Sequence, residues 1–146
     1  MAKLAYMILF FIAVSAALVV NNTANVCKGN AECFSSTVER IVDGDTLVIG
    51  NKTIRLVLVN APEKGEEGGD EATNFTSSLC PIGSTAIVDE DDKQTKGSYG
   101  RTVAVVYCNN KNLNSALLEN GFGYIFTEYC DSSEFGREPW AKKYGC

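Results

Sequence analysis

An α+β domain, mainly β, is what this sequence predicts, and three observations carry that expectation. Five short apolar runs are bounded by glycine, asparagine, aspartate or proline, as strands are. Three other stretches carry helix start, stop or spacing signals. Apolar content of 45% and charged content of 21% over 146 residues suit one globular domain with a modest core.

The first run, Phe34 to Val42, alternates around Val38 and Ile41. Thr46 to Ile49, then Gly50-Asn51-Lys52, then Thr53 to Val59 reads as a hairpin, because Gly and Asn take positive φ readily. Val57 to Val59 is apolar throughout, which predicts a central strand ended by Pro62. Residues 63–70 form a glycine- and charge-rich loop. It closes on Asp70, whose carboxylate can cap a helix running through Phe75 to about Leu79. Ser84 to Asp89 and Arg101 to Cys108 are further strands, joined by the loop 90–98. Asn112 to Asn120 is a short helix with Leu113, Ala116 and Leu117 on one face and Gly121 as its stop. Ser132 or Ser133 begins a last helix through Phe135 and Trp140.

Ahead of the domain, Leu4 to Val20 is uncharged and apolar. Residues 1–20 read as a signal peptide with a small-residue cleavage site at Val14-Ser15-Ala16, or as a membrane anchor over 4–20. Lys3 precedes the segment and the next cation is Lys28, so either reading puts the remainder outside. The expected location is extracellular, secreted or anchored to the outer face of the cytoplasmic membrane. Residues 21–33 read as a linker and 34–146 as the folded domain. Cys27 follows Asn25 and Val26, which do not make a lipobox.

Six cysteines, Cys27, Cys33, Cys80, Cys108, Cys130 and Cys146, suit disulfides in an exported chain. Without a C-x-x-C pair or any histidine, a zinc site is disfavoured. Pairing stays open among about fifteen connectivities. Sequons at Asn21, Asn51 and Asn74 are permissive for glycosylation. The absence of histidine also excludes a histidine general base. A net charge of −5 argues against a passive, charge-driven nucleic-acid binder. An enzyme with a divalent cation and local arginines tolerates that deficit.

Three motifs carry chemistry. Asp43-Gly44-Asp45-Thr46 sets two carboxylates at i and i+2, either a tight turn or a site for a hard cation. Arg55 stands in an apolar run, so it either forms a structural salt bridge or forks onto phosphate oxygens. Asn60-Ala61-Pro62-Glu63 closes that run with an amide and a carboxylate. Ser98-Tyr99-Gly100-Arg101 adds a second guanidinium, and two can share one phosphate.

In this order and spacing the motifs resemble the thermonuclease family, the secreted calcium-dependent nucleases typified by the staphylococcal enzyme. The resemblance runs from about Cys33 to about Trp140. It implies a five-stranded OB-type Greek-key barrel with three helices, and a Cys80–Cys108 pair. It implies calcium (Ca2+) as cofactor, with Asp45 as a direct ligand and Asp43 close behind through water. The Asn60 side-chain oxygen and the Ala61 carbonyl complete the implied set. Glu63 matches the carboxylate that orients or deprotonates the attacking water. Arg55 and Arg101 neutralise the phosphate, and Arg101 is also placed to hydrogen-bond the leaving 5′ oxygen. Tyr99 resembles a residue bonding the terminal phosphate, and Tyr129 one lining the base pocket; both suit ordinary surface aromatics as well. The implied reaction cuts the 5′ P–O bond of DNA and RNA and leaves 3′-phosphates, with nucleic acid as the partner and a monomer as the working form.

The chain departs from the family at three positions. Asn60 stands where aspartate is usual, Thr127 where a second base-pocket tyrosine is usual, and Ser98 where a lysine is usual. Competing classes are a nuclease-like barrel that binds nucleic acid or protein without cutting, and a disulfide-stapled structural protein.

Overall fold

The structure, a computed structural model, describes residues 26–146. The expected leader and cleavage site lie outside the described residues. Five strands close on themselves: β1 (Cys33–Ile41), β2 (Thr46–Ile49), β3 (Lys52–Leu56), β5 (Thr85–Glu90) and β6 (Thr102–Cys108). The short strand β4 (Val59–Asn60) lies outside this ring. β1 pairs antiparallel with β5 through residues 33–37 and with β2 from Val38 onward, with a register shift between Val38 and Arg40. That irregularity lets one long strand serve both sides of the barrel. β2 pairs antiparallel with β3, and β5 with β6. The barrel closes through a parallel pairing of β3 with β6, Arg55 opposite Val103. This is the expected OB-type Greek-key barrel.

The tight β2–β3 connection follows from its sequence. Gly50 and Asn51 take φ of 54° and 62°, the two-residue turn whose twist matches flanking strands. Val38, Leu47, Ile49, Ile54, Leu56, Val88 and Val105 fill the interior and are fully buried. Helix α1 (Gly69–Leu79) and helix α2 (Leu113–Glu119) pack together, and α2 covers β6. Val103 to Val106 is consequently buried throughout. β7 (Lys111–Asn112) leads into α2, whose N-cap Asn112 accepts from the Ser115 N–H. β8 (Tyr124–Ile125) pairs with β4, and helix α3 (Pro139–Tyr144) ends the chain. Disulfides join Cys27 to Cys33, Cys80 to Cys108 and Cys130 to Cys146. The Cys80–Cys108 pair implied by the resemblance is thus present.

Four local expectations are corrected. The expected strand Thr53 to Val59 stops at Leu56, and Val57-Leu58 turn the chain, with Leu58 at φ 60°. All three of Val57, Leu58 and Val59 are buried, so their apolar run marks the core rather than a strand. Asp70 does not cap α1. Gly68, at φ 81°, is the N-cap without a side-chain bond, and Asp70 lies in the first turn, where a negative charge favours the helix dipole. The α2 face is rotated: Leu113, Asn114, Leu117 and Leu118 are buried and Ala116 only partly. The last helix is split into a 3-10 turn, Glu134–Arg137, capped by the Ser133 side chain, and α3. Pro139 forces the extended Glu138 between them.

Candidate active site

The site is organised by the turn that replaced the expected strand. The carbonyls of Leu56 and Val59 both accept from Nη1 of Arg55, at 2.9 and 2.5 Å. The chain therefore wraps around the guanidinium as it leaves β3. Buried Asn114 holds this turn from behind: its Nδ2 donates to the Val57 carbonyl at 2.9 Å while its Oδ1 accepts from Val106 N. Phe126 N donates to the Leu58 carbonyl. The turn then carries Asn60 and Ala61 back toward the Asp43-Gly44-Asp45 corner.

At that corner, Asp45 Oδ2 accepts from the Ala61 N–H at 2.7 Å and pairs with Arg55 Nη2 at 3.1 Å. Its Oδ1 accepts from the Thr46 hydroxyl at 3.0 Å. Asp43 Oδ1 accepts from Asp45 N, the side-chain turn expected of Asp-Gly-Asp. Gly44 is required here by space rather than by φ. A Cβ would lie 2.7 Å from that of Ala72 on α1 and 2.8 Å from that of Ala61. Thr76 on α1 donates to the Gly44 carbonyl, so helix, corner and turn form one unit.

Arg55 also donates from Nη2 to Asn60 Oδ1 at 3.0 Å. One guanidinium nitrogen thus spans a carboxylate oxygen and an amide oxygen. Of the two readings of Arg55, the salt bridge is present: Arg55 is bonded to Asp45, and it also lines the open cleft. Its side chain is 13% exposed. Burial and the neighbouring Arg101 lower its pKa, against the pull of Asp45, Asp43 and Glu63. Burial pushes the Asp45 carboxyl up to about 6, although Arg55 and the Ala61 N–H hold it down.

The cleft has a volume of about 440 Å3. Arg55, Asn60, Glu63, Tyr99, Arg101 and Tyr129 all line it. Asp43, Asp45 and Ala61 are buried and do not line it. Glu63 is exposed, and its backbone is held by Glu66. Gly69 starts α1 hard against the Glu63 carbonyl, where a Cβ would sit 1.9 Å away. Arg101 comes from a tight turn in which Tyr99 and Gly100 take φ of 53° and 76°. Its Nε and Nη2 donate to the carbonyl and hydroxyl of Ser98, at 3.1 and 3.3 Å. Positive φ is uncommon for a bulky residue such as Tyr99. The ring is 99% exposed, so no packing rewards it.

Among the described residues, no three His, Cys, Asp or Glu side chains converge as a metal cage. The donors present are nonetheless all oxygens: the Asp45 carboxylate, the Asn60 amide oxygen and the backbone carbonyl of Ala61. They fit a hard cation, and a cationic guanidinium bridges the first two. The set carries one charge less than it would with aspartate at position 60.

A family model described as Staphylococcal nuclease homologue matches residues 53–140. The chain belongs to this family. The span holds Arg55, Asn60, Glu63, Tyr99, Arg101 and Tyr129, whereas the Asp43–Asp45 corner precedes it. Similar curated proteins include an uncharacterized endonuclease of Haemophilus influenzae, 33% identical over 97 residues, covering 63% of this chain and 52% of that protein. Endonuclease YncB of Bacillus subtilis is 28% identical over 119 residues, 74% of this chain and 56% of its own. The thermonuclease of Staphylococcus intermedius is 31% identical over 97 residues, 60% of this chain and 56% of its own. The chain spans about half the length of the curated relatives it matches.

Sequence reasoning missed Tyr124 and Phe126. Phe126 lines the cleft, edge-on to Tyr129 with ring centroids 5.5 Å apart. Tyr124 stands edge-on to Phe126 at 5.7 Å, and its hydroxyl accepts from Asn60 Nδ2 at 2.8 Å. Thr127, at the expected second tyrosine position, is exposed and does not line the cleft. The alternation Tyr124-Ile125-Phe126 was the available signal.

Proposed function

We propose that this chain is a calcium-dependent nuclease that hydrolyses the 5′ P–O bond of DNA and RNA and leaves 3′-phosphates. One observation carries the reading: two arginines, a carboxylate and an amide from distant segments share one cleft with aromatic rings. Asp45, Asn60 and the Ala61 carbonyl are the residues to hold calcium, with Asp43 behind them. Calcium, when bound, polarises the scissile phosphate. Asp45 and Asn60 would hold the cation, and Arg55 Nη2, which bonds both of them here, would donate to a phosphate oxygen. Arg101 lines the same cleft, and the two guanidiniums neutralise charge as it accumulates. Glu63, exposed on the rim, orients or deprotonates the attacking water. Tyr99 and Tyr129 are available to phosphate and base, with stacking worth about 1–3 kcal/mol per base.

Three disulfides support an oxidising, extracellular setting, secreted or held at the membrane by 4–20. Among the described residues no helix is long and apolar enough to cross a membrane. A monomer suffices for this chemistry, since every residue invoked comes from one chain.

The test is cleavage of single-stranded DNA by the oxidatively folded protein with calcium, magnesium or chelator, beside Glu63→Ala. Calcium-dependent cleavage, reduced at least about a hundredfold in the variant, is expected. The second reading, a binding module, is favoured by Arg55, whose two η nitrogens are already bonded within the protein. Folded protein that binds single strands but cuts none under any metal would establish it.

A further inference from the structure

We propose that Ser98 is a positioning residue: its hydroxyl fixes the plane of the Arg101 guanidinium and leaves the outer edge of that group for a phosphate oxygen. This rests on the nuclease reading above and deepens it. Two guanidiniums, Arg55 and Arg101, line one cleft and repel each other. Asp45 holds Arg55 against that repulsion. Among the described residues Arg101 has no such ion pair. Ser98 takes the place of one with two neutral oxygens.

The direction of both bonds is fixed by chemistry. A guanidinium only donates, so the Ser98 carbonyl accepts from Nε at 3.1 Å and the Ser98 hydroxyl accepts from Nη2 at 3.3 Å. One bond alone would let the guanidinium plane pivot about its axis, and the second stops it. Nε–H and the adjoining Nη2–H form one edge of the planar group, so both bonds occupy that edge. The Nη1 hydrogens and the outer Nη2 hydrogen remain, a second edge suited to forked phosphate oxygens. A lysine at position 98, usual in the family, accepts nothing and would add a third positive charge. The turn serves the same end. Ser98 and Arg101 exchange backbone bonds, each at 3.0 Å, across a two-residue turn. They form a bridged pair, so their side chains stand on one face. Positive φ at both Tyr99 and Gly100 makes that turn. The φ of Tyr99, which no packing of its ring rewards, thus has a local purpose. Ser98 and Arg101 both line the cleft.

The test is a cycle of four proteins, native, Ser98→Ala, Arg101→Ala and the double variant, with Ser98→Thr as the conservative control. Single-turnover cleavage of a single-stranded oligonucleotide, with whichever of calcium or magnesium supports it, gives the rate. Affinity for the same oligonucleotide in chelator gives binding, and urea midpoints confirm folding. Ser98→Ala should lower the saturated rate by about tenfold, because a misplaced charge-stabilising group is felt in the transition state. Its affinity in chelator should change by less than about twofold, since the interaction matters most at the reacting phosphate. Ser98→Thr keeps the hydroxyl and should restore the rate. With Arg101 already alanine, Ser98→Ala should cost nothing further, because it acts only through that guanidinium. A further loss of about tenfold there would overturn the proposal, since Ser98 would then act on substrate by itself. A loss that lies wholly in affinity, or one that Ser98→Thr does not restore, overturns it too. A native protein that cuts while Ser98→Ala cuts as fast defeats the proposal alone. A folded native protein that cuts with neither metal defeats the nuclease reading, and the proposal with it.

Discussion

Two buried aspartates, Asp45 beside Arg55 and Asp89 on β5, show what makes a buried charge useful. Asp45 and Asp89 are both shielded from solvent, and burial pushes each carboxyl up to about 6. Asp45 is answered on every side: a guanidinium, the Ala61 N–H and the Thr46 hydroxyl. Asp89, on β5, has one described bond, from the Lys28 N–H at 2.9 Å. Its Oδ1 has no hydrogen-bond partner among the described residues, and Asp92 and Glu134 add repulsion. The first carboxylate is a partner held in reserve, because several donors can release it without leaving it bare. The second fastens residues 26–32 to the barrel, beside Asp92, which accepts from Asn30 N and Ala31 N. In the proposed reaction the first would serve chemistry; the second serves anchorage.

The sharpest way to break that contrast is to remove the cation that answers Asp45. Arg55→Ala should lower single-turnover cleavage by at least about a thousandfold. It should also destabilise the fold by roughly 3–5 kcal/mol, because Asp45 is left buried beside an empty turn. Arg101→Ala should lower cleavage by about a hundred- to a thousandfold while moving unfolding by less than about 0.5 kcal/mol. Among the described residues its side-chain bonds are to Ser98, in an exposed turn. Urea midpoints and cleavage rates on both variants decide this. Equal stability losses would mean that Arg55 is no more structural than Arg101, and that Asp45 is solvated after all.

The acids and arginines of the site were legible because each sits in a short motif whose local geometry is set within a few residues. Asp43-Gly44-Asp45 forms its own turn, and Ser98-Tyr99-Gly100-Arg101 closes on itself through paired Ser98–Arg101 backbone bonds. The Val57-Leu58 turn was not legible. An unbroken apolar run reports burial, and a buried turn whose carbonyls find Arg55 buries as well as a strand. The Asn60–Tyr124 bond spans 64 residues and has no local trace. Closure of the barrel through β3 and β6 is likewise non-local, and followed from the family resemblance rather than from pattern. The Asp89 corner was invisible for a third reason. Asp89 alternates with Val88 as any outward strand residue would, and only the folded position of Lys28 and Glu134 shows it buried.

That corner supplies the smallest effect and the cleanest sign. Asp89 binds its proton more tightly folded, at about 6, than the ordinary carboxyl value of 3.8. Between those values the native state holds more protons than the unfolded one, so this residue's contribution to stability falls as pH rises. The penalty is absent below about 3.8 and complete above about 6. Asp89→Asn removes the charge and keeps an oxygen for the Lys28 N–H. At pH 7 it should raise stability by about 1–3 kcal/mol, taking linkage at ~1.4 kcal/mol per pH unit. Near pH 4 the gain should vanish. Asp45 titrates in the same range but contributes equally to both proteins, so the difference between their urea midpoints isolates Asp89. A gain that is independent of pH would show that the charge was never the source of the penalty, and that the amide merely packs better. A loss at every pH would show that Asp89 is needed ionised to hold residues 26–32, which would make the two buried aspartates alike in kind and differ only in what they hold.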